Sequence, residues 1–383
     1  MRISSTRVAT GSSFLSMFFL GVGVAIVGAT ARAVGLSPSE IGYLIAAQNV
    51  GFGIAVVAGG ALSDLYRKPV ILTTGLIMLA ISFAFLYRSD SLAVNLAVML
   101  LMGAGMGAAE AVTDALLLEM HSRNESGLVT MNHFFVSIGS VVITLYLMAL
   151  ELDWSASLGQ VAIALGLLAL LVAFLRPPGH VGNASSGGQI FRELTADWGI
   201  VLLFLSGVGA IGLGVGSAGV ITTFTTELRS VDASHAQVIL AVFLVGLAAG
   251  RILVGLLGKG RSPGRMAVIA ATGALLFSVA FYLIPLPTAV LLPLAAALGL
   301  TVAPLLPLTI ATAGLRYRHV AGSAMGLVKL SIPVGGIVIP GLIGIMSDVV
   351  TFAAALYLIP ASAILIVAAT VIGERRATAP PSR

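Results

Sequence analysis

The chain has no cysteine, only 2 tryptophans among 383 residues, and charged side chains at just 9%. Without cysteine, neither disulfides nor thiolate metal sites are available. A soluble domain carries about 25% charged residues, so this scarcity of charge excludes a soluble core with one anchor. What fills the sequence is apolar: 58% of residues are hydrophobic and the mean hydropathy is +1.09. The net charge of +5 does not require nucleic acid, because membrane proteins gather Lys and Arg in cytoplasmic loops.

Apolar runs of about 18 residues or more, the length that spans about 30 Å of hydrocarbon as a helix, recur twelve times between Ser12 and Ile372. The one long polar stretch, Arg176 to Asp197, is rich in Pro, Gly and Ser and reads as a linker. The expected fold is all-α, with twelve transmembrane helices in two pseudo-symmetric bundles. Residues 1–175 form the first six-helix bundle, 176–197 a cytoplasmic linker, 198–372 the second bundle and 373–383 a cytoplasmic tail. With the N-terminus in the cytoplasm, the far side keeps only Arg32, Arg88 and Arg229, and Arg251 and Lys329 fall inside spans. The remaining basic residues all lie inside, as the positive-inside rule requires of a multi-pass protein in a bacterial-type cytoplasmic membrane. Arg2 and Arg7 before the first run imitate a secretory signal, but the apolar stretch is too long for one.

Two carboxylates interrupt this pattern. Glu110 and Asp114 stand four apart in the fourth run, so a helix places them on one face, a turn from each other. Asn132 and His133 follow near the start of the fifth. An ionised group at membrane depth is costly and faces a partner or a water-filled cavity, which points to a polar pathway. Counting about 1.5 Å per residue from the helix ends, Glu110, Asp114, His133, Arg251 and Lys329 share the cytoplasmic third of the membrane. For Glu110 a proton carrier competes with a static ion pair; for His133 a proton relay competes with a packing residue. Lys329 is read either as the holder of an anionic substrate or as a partner of Glu110 in one conformation only. Such a pair would couple protonation to opening.

The halves look like copies. The same spacing separates Gly60 from Gly255 and Leu36 from Val231, and both second-span starts carry caps: Ser37 with Pro38 and Glu40 in one, Asp232 in the other. A six-helix unit repeated in parallel suits a transporter. With Gly60-x-x-x-Asp64-x-x-Arg67-Lys68 between spans two and three, the chain resembles the major facilitator superfamily over its whole length. The Gly that the family keeps before Arg67 is missing, and Lys259 stands where the second copy often has Asp. The resemblance implies gating roles for Gly60, Asp64, Arg67, Lys68 and Arg251, with Asp64 holding one state shut by an ion pair or at a helix N-terminus.

Within that family, Glu110-Ala111 and Met131-Asn132-His133-Phe134-Phe135 with Gly139 are similar to the fucose permease type of sugar:proton symporters. That likeness implies Glu110 as the protonatable residue and Asn132 as a polar contact, although Phe18 to Ala31 lacks the acid those permeases carry. Asp114 and His133 join Glu110 as proton-coupling candidates. Gly-rich span seven and Pro-rich span ten line the cavity in this family, which makes Ser217, Thr222, Thr301 and Thr309, with Asn132 and Lys329, candidate solute contacts.

Gly207-x-Gly209-x-x-Gly212 imitates a dinucleotide fingerprint, but no strand precedes it. Five scattered His without Cys make no metal site, so no cofactor, metal or enzymatic activity is expected. The expected function is a secondary transporter moving a small polar solute, a sugar or an organic anion, by alternating access with proton coupling. Its partners are the solute, protons and lipid, without nucleic acid, and the unit is a monomer. A proton-driven exporter of hydrophobic compounds and a non-transporting sensor or scaffold are the alternatives.

Overall fold

The structure, a computed structural model, describes residues 5–36, 38–121, 125–149, 154–175 and 187–378. Ser37 of the expected capping box, the first half of the linker stretch and the end of the tail lie outside the described residues. Among the described residues every element is helical: α1 (Ser5–Val34), α2 (Pro38–Leu65), α3 (Lys68–Phe85), α4 (Leu92–Met120), α5 (Glu125–Ala149), α6 (Trp154–Ala173), α7 (Gly187–Ala196) and α8 (Trp198–Thr223). A π-turn at Phe224–Leu228 follows, then α9 (Ala233–Leu257), α10 (Pro263–Leu283), α11 (Thr288–Val302), α12 (Leu305–Arg316), α13 (Ala321–Lys329), α14 (Ser331–Val349), α15 (Phe352–Ala355) and α16 (Leu358–Thr378). Together they provide 12 spans long and apolar enough to cross a membrane, as the hydropathy pattern predicts.

Local chemistry sets the helix ends. Asp197 caps α8 by accepting the Gly199 amide at 2.6 Å. Asp232 caps α9 through the His235 amide at 3.1 Å, the role its spacing predicts. Proline sets the breaks. Pro333 offers no N–H to the Lys329 carbonyl four residues back and its ring crowds that position, and the eleventh span divides at Leu330 into α13 and α14. Pro304 and Pro307 divide the tenth span in the same way, between α11 and α12. The second half of the linker stretch is a helix, α7: Arg192-Glu193-Leu194 favours helical backbone, and Leu194 is buried.

The chain forms two compact units. One draws its described residues from Met1–Ser122, Met131–Leu194 and Gly314–Leu330, the other from Arg123–Thr130, Thr195–Ala313 and Ser331–Arg383. Helix α13 therefore belongs with α1 to α6, although it follows α12 in the chain. In the first unit α4 packs on α1, α2 and α3, while α3 also meets α6 and α13 lies along α2. In the second, α9 packs on α11, α8 on α14 and α16, and α10 on α11 and α16. The repeat seen in the sequence recurs inside each unit. A Cβ on Gly51 of α2 would stand 2.0 Å from the Leu100 carbonyl oxygen of α4, and one on Gly246 of α9 would stand 2.4 Å from the Ala296 carbonyl oxygen of α11. Gly51 and Gly246 keep the spacing of Gly60 and Gly255, and at both the missing side chain lets two backbones touch.

Candidate functional site

Helix α4 is buried without interruption from Gly105 to Leu118. Its glycines and alanines let α2 and α3 close against it, so the two acids on it have no path to lipid. Asp114 is fully buried and well supplied with donors. The Asn132 amide nitrogen donates to its Oδ1 at 2.8 Å, while Lys329 Nζ stands 2.8 Å and His133 Nε2 3.1 Å from its Oδ2. Lys329, itself 0% exposed, also donates to the main-chain carbonyl of Glu110.

Glu110 is placed differently. Its Oε1 lies 3.5 Å from Lys329 Nζ and 3.6 Å from His133 Nε2, too far for good hydrogen bonds. Among the described residues this buried oxygen has no hydrogen-bond partner. Asn132 is fully buried as well; its amide nitrogen is shared between Asp114 and Thr113 Oγ1, the latter at 3.1 Å. The ligand atoms of Glu110, Asp114 and His133 lie within 4.8 Å of one another, within reach of one cation. The Lys329 ammonium already stands against Asp114 there, so the chain supplies the positive charge itself.

A second constellation joins α2 to the start of α13. Asp64 Oδ1 accepts the Gly322 amide at 2.8 Å and Oδ2 the Ser323 amide at 2.7 Å. The carboxylate thus satisfies two of the open donors at the α13 N-terminus and faces the positive end of its dipole. The approach is tight because Gly60 lacks a side chain: a Cβ there would stand 2.4 Å from the Gly322 carbonyl oxygen. Lys68 pairs with Glu119 of α4 at 2.7 Å and donates to the Ser63 carbonyl at 3.1 Å, while Arg67 is exposed. Helix α13 is therefore held at both ends within one unit, by Asp64 at its start and by Asp114 at its last residue.

Of the residues singled out in the sequence, Glu110, Asp114, Asn132, His133 and Lys329 come together, and Gly60 and Asp64 meet α13. Arg251 lies half-buried on α9 in the other unit. The four neutral candidates belong to that same unit. Thr309 Oγ1 donates to the Leu305 carbonyl at 2.8 Å and lies 3.4 Å from Ser206 Oγ. Thr301 Oγ1 bonds the carbonyls of Ala297 and Leu298. Thr222 is half-buried and Ser217 fully buried. Sequence reasoning passed over Thr113, Glu119, Ser323 and the pair Gly322 and Gly326. That pair carried a readable signal, two glycines four apart on one helix face.

Comparison with known proteins agrees with this architecture. The chain belongs to the Major Facilitator Superfamily, whose model matches residues 8–290; members of this family are transporters. The crystal structure of the E. coli fucose:proton symporter FucP (N162A) superposes with a TM-score of 0.79 at 14% identity, covering 96% of this chain and 99% of that one. The proton:xylose symporter XylE gives 0.73 at 15% identity, covering 97% and 96%. The human organic anion transporter MFSD10 gives 0.69 at 16% identity, covering 94% and 99%. No curated protein sequence matches the chain.

Proposed function

We propose that this chain is a proton-coupled carrier of a small polar solute, working by alternating access in a bacterial-type cytoplasmic membrane with both termini in the cytoplasm. The observation that carries the reading is the buried group of Glu110, Asp114, His133 and Lys329. Ionisable residues at membrane depth are costly to keep and mark proton or solute pathways. Glu110, Asp114 and His133 are the proton-coupling residues. Gly60, Asp64, Arg67, Lys68 and Arg251 form the gating apparatus, closed on the cytoplasmic side when Asp64 caps α13.

Asn132, Ser217, Thr222, Thr301 and Thr309 are the proposed solute contacts, with Lys329 at the edge of the proton site. A neutral, sugar-like solute fits better than an organic anion, because the Lys329 ammonium that would hold an anion is engaged by Asp114. The shared fold of fucose and xylose symporters supports the same class. The carrier works as a monomer built of 1–175 and 198–372 joined by the linker 176–197, with 373–383 as tail.

The test is transport in proteoliposomes under an imposed pH gradient, using a panel of radiolabelled sugars and organic acids, with Glu110→Gln beside the wild type. Counterflow that survives while uphill accumulation disappears supports the reading. Equal accumulation by both proteins, or no movement of any solute, rejects it.

A further inference from the structure

The two units carry the same turn at the end of their first span, and the match can be followed residue by residue. Gly35 and Ser230, which keep the spacing of Gly60 and Gly255, both adopt the left-handed backbone, at φ +78° and +53°. Just before them Thr30 and Thr225 are both buried, and they donate to the carbonyls of Ile26 and Ile221 at 2.7 and 2.8 Å. The residue that enters each turn differs. In one unit it is Val34; in the other it is Arg229, whose guanidinium stands 5.2 Å over the Phe224 ring and donates to the Ile284 carbonyl. Tyr282, which holds the place of Tyr87 in the repeat, packs on that same ring at 5.0 Å. An aromatic face with a carbonyl beside it seats a planar cation, and this unit supplies the cation from its own chain.

In the first unit the corresponding place is a cavity of about 270 Å³, bordered by Val34, Glu40, Tyr87, Ser89, Asp90 and Trp154. Val34 has neither the charge nor the length to take the part of Arg229. Ser89 follows Tyr87 by two residues, as Ile284 follows Tyr282. The buried Asn95 accepts the Tyr87 amide at 3.0 Å and donates to the Ser89 carbonyl at 2.8 Å. These bonds hold Tyr87 in a left-handed backbone, φ +57°, with its ring edge-on to Trp154 at 5.8 Å between centroids. The walls therefore keep the aromatic component, and two carboxylates join it: Glu40, half-buried, and Asp90, exposed. Arg88 of the same loop is committed to the Ser155 hydroxyl and carbonyl.

We propose that this cavity is a binding site for a small organic cation with a guanidinium head, which takes the place that Arg229 takes in the other unit. The head lies against the aromatic pair, with the Asp90 carboxylate as counter-charge and the Ser89 carbonyl as the counterpart of that of Ile284. A neutral solute of the kind proposed for transport has no use for two acids, whereas a cation has. The cavity sits at the start of α2 and the Asp64 contact at its end, so the site is separate from the buried group on α4. In the orientation proposed above it faces away from the cytoplasm.

The sequence holds only 2 tryptophans, and Trp198 is exposed in the other unit. The Trp198→Phe protein thus carries its single indole in the cavity wall. Titrating that purified full chain with butylguanidinium at low ionic strength should give a saturable change in Trp154 emission, with a midpoint in the millimolar range. Butylurea, the same shape without the charge, should give none. In Asp90→Asn, an exposed change that leaves packing alone, the midpoint should rise at least about threefold. Val34→Arg installs the tethered cation of the other unit and should abolish the response. Its fold is read by N-ethylmaleimide labelling of Ser323→Cys, which should stay within about twofold of the parent. An equal response to butylurea, a response that does not saturate, or an unchanged midpoint in Asp90→Asn overturns the proposal. So does a Val34→Arg protein that labels as the parent does and still responds; if it labels faster, Asp90→Asn alone decides. The readout is binding at Trp154, so failure here leaves the transport reading as it stands.

Discussion

Asp64 and Gly322 are 258 positions apart, yet the carboxylate of the first accepts the backbone amide of the second at 2.8 Å. With the Ser323 amide on the other oxygen, one side chain of α2 finishes the first turn of α13. Asp64→Ala leaves two buried N–H groups unpaired, each worth about 1–3 kcal/mol. N-ethylmaleimide labelling of Ser323→Cys should therefore accelerate at least about tenfold in the Asp64→Ala background. Asp64→Asn, which keeps one acceptor and turns an N–H₂ toward the other amide, should fall between the two. The natural lack of cysteine makes the label unambiguous, and unchanged labelling in both variants would remove Asp64 from the gate.

Gly326→Ala tests the seam from the other side. A Cβ there would stand 2.7 Å from the Val56 carbonyl oxygen, a backbone atom with little freedom to move, whereas a Cβ on Gly28 meets nothing within 4 Å. The expected outcome is a loosened α2–α13 contact for Gly326→Ala, read as faster Ser323→Cys labelling and a thermal midpoint several degrees lower. Gly28→Ala should match the parent in both measurements.

Pro333→Ala restores the N–H that the Lys329 carbonyl lacks. Proline inside a helix costs about 3 kcal/mol, so the variant should favour a continuous helix across Leu330. Deuterium exchange at 330–334 should slow, and solute uptake should fall several-fold if the break gives α13 its freedom to leave α2. Slower exchange with full transport would separate the break from the gate.

At the start of α9, outside the spans, Asp232 is fully exposed, and its carboxyl is held below the usual carboxylate range. The Ser234 hydroxyl is the main cause, followed by the His235 amide and the His235 ring. A carboxyl whose folded value is depressed adds stability above its unfolded value of about 3.9 and loses it as pH falls through the folded one. Protection of the His235 amide, corrected for intrinsic exchange, should be flat from about pH 8 to about pH 5 and weaken only below about pH 4. Asp232→Ala should abolish that dependence and leave the amide weakly protected throughout.

Spans were readable because insertion into a bilayer depends on length and apolarity, both local quantities. A constant rise per residue put Glu110, Asp114, His133, Lys329 and Arg251 at one level; the first four come together, and Arg251 lies in the other unit. The grouping of α13 with the first six spans was not readable, since nothing near Gly322 announces a partner in α2. Nor was the choice of Asp114 over Glu110 as the nearer partner of Lys329. A one-turn offset on the same face decides it, and side-chain reach covers both. Helix α7 within the linker stretch was not readable, because the Pro and Gly residues come first and the helix-forming residues last, and one composition average covers both.

The unbroken burial of Gly105 to Leu118 bears on how this carrier tolerates change. A helix in contact with lipid on one side has positions where side chains of many sizes are interchangeable; this stretch has none. Ala108 and Ala111 stand against Gly75 and Gly59, so enlargement there crowds α3 and α2, and truncation of the buried Met106 or Leu117 opens a void. Altered solute preference should therefore arise from substitutions on the surrounding helices, with this segment of α4 left as it is.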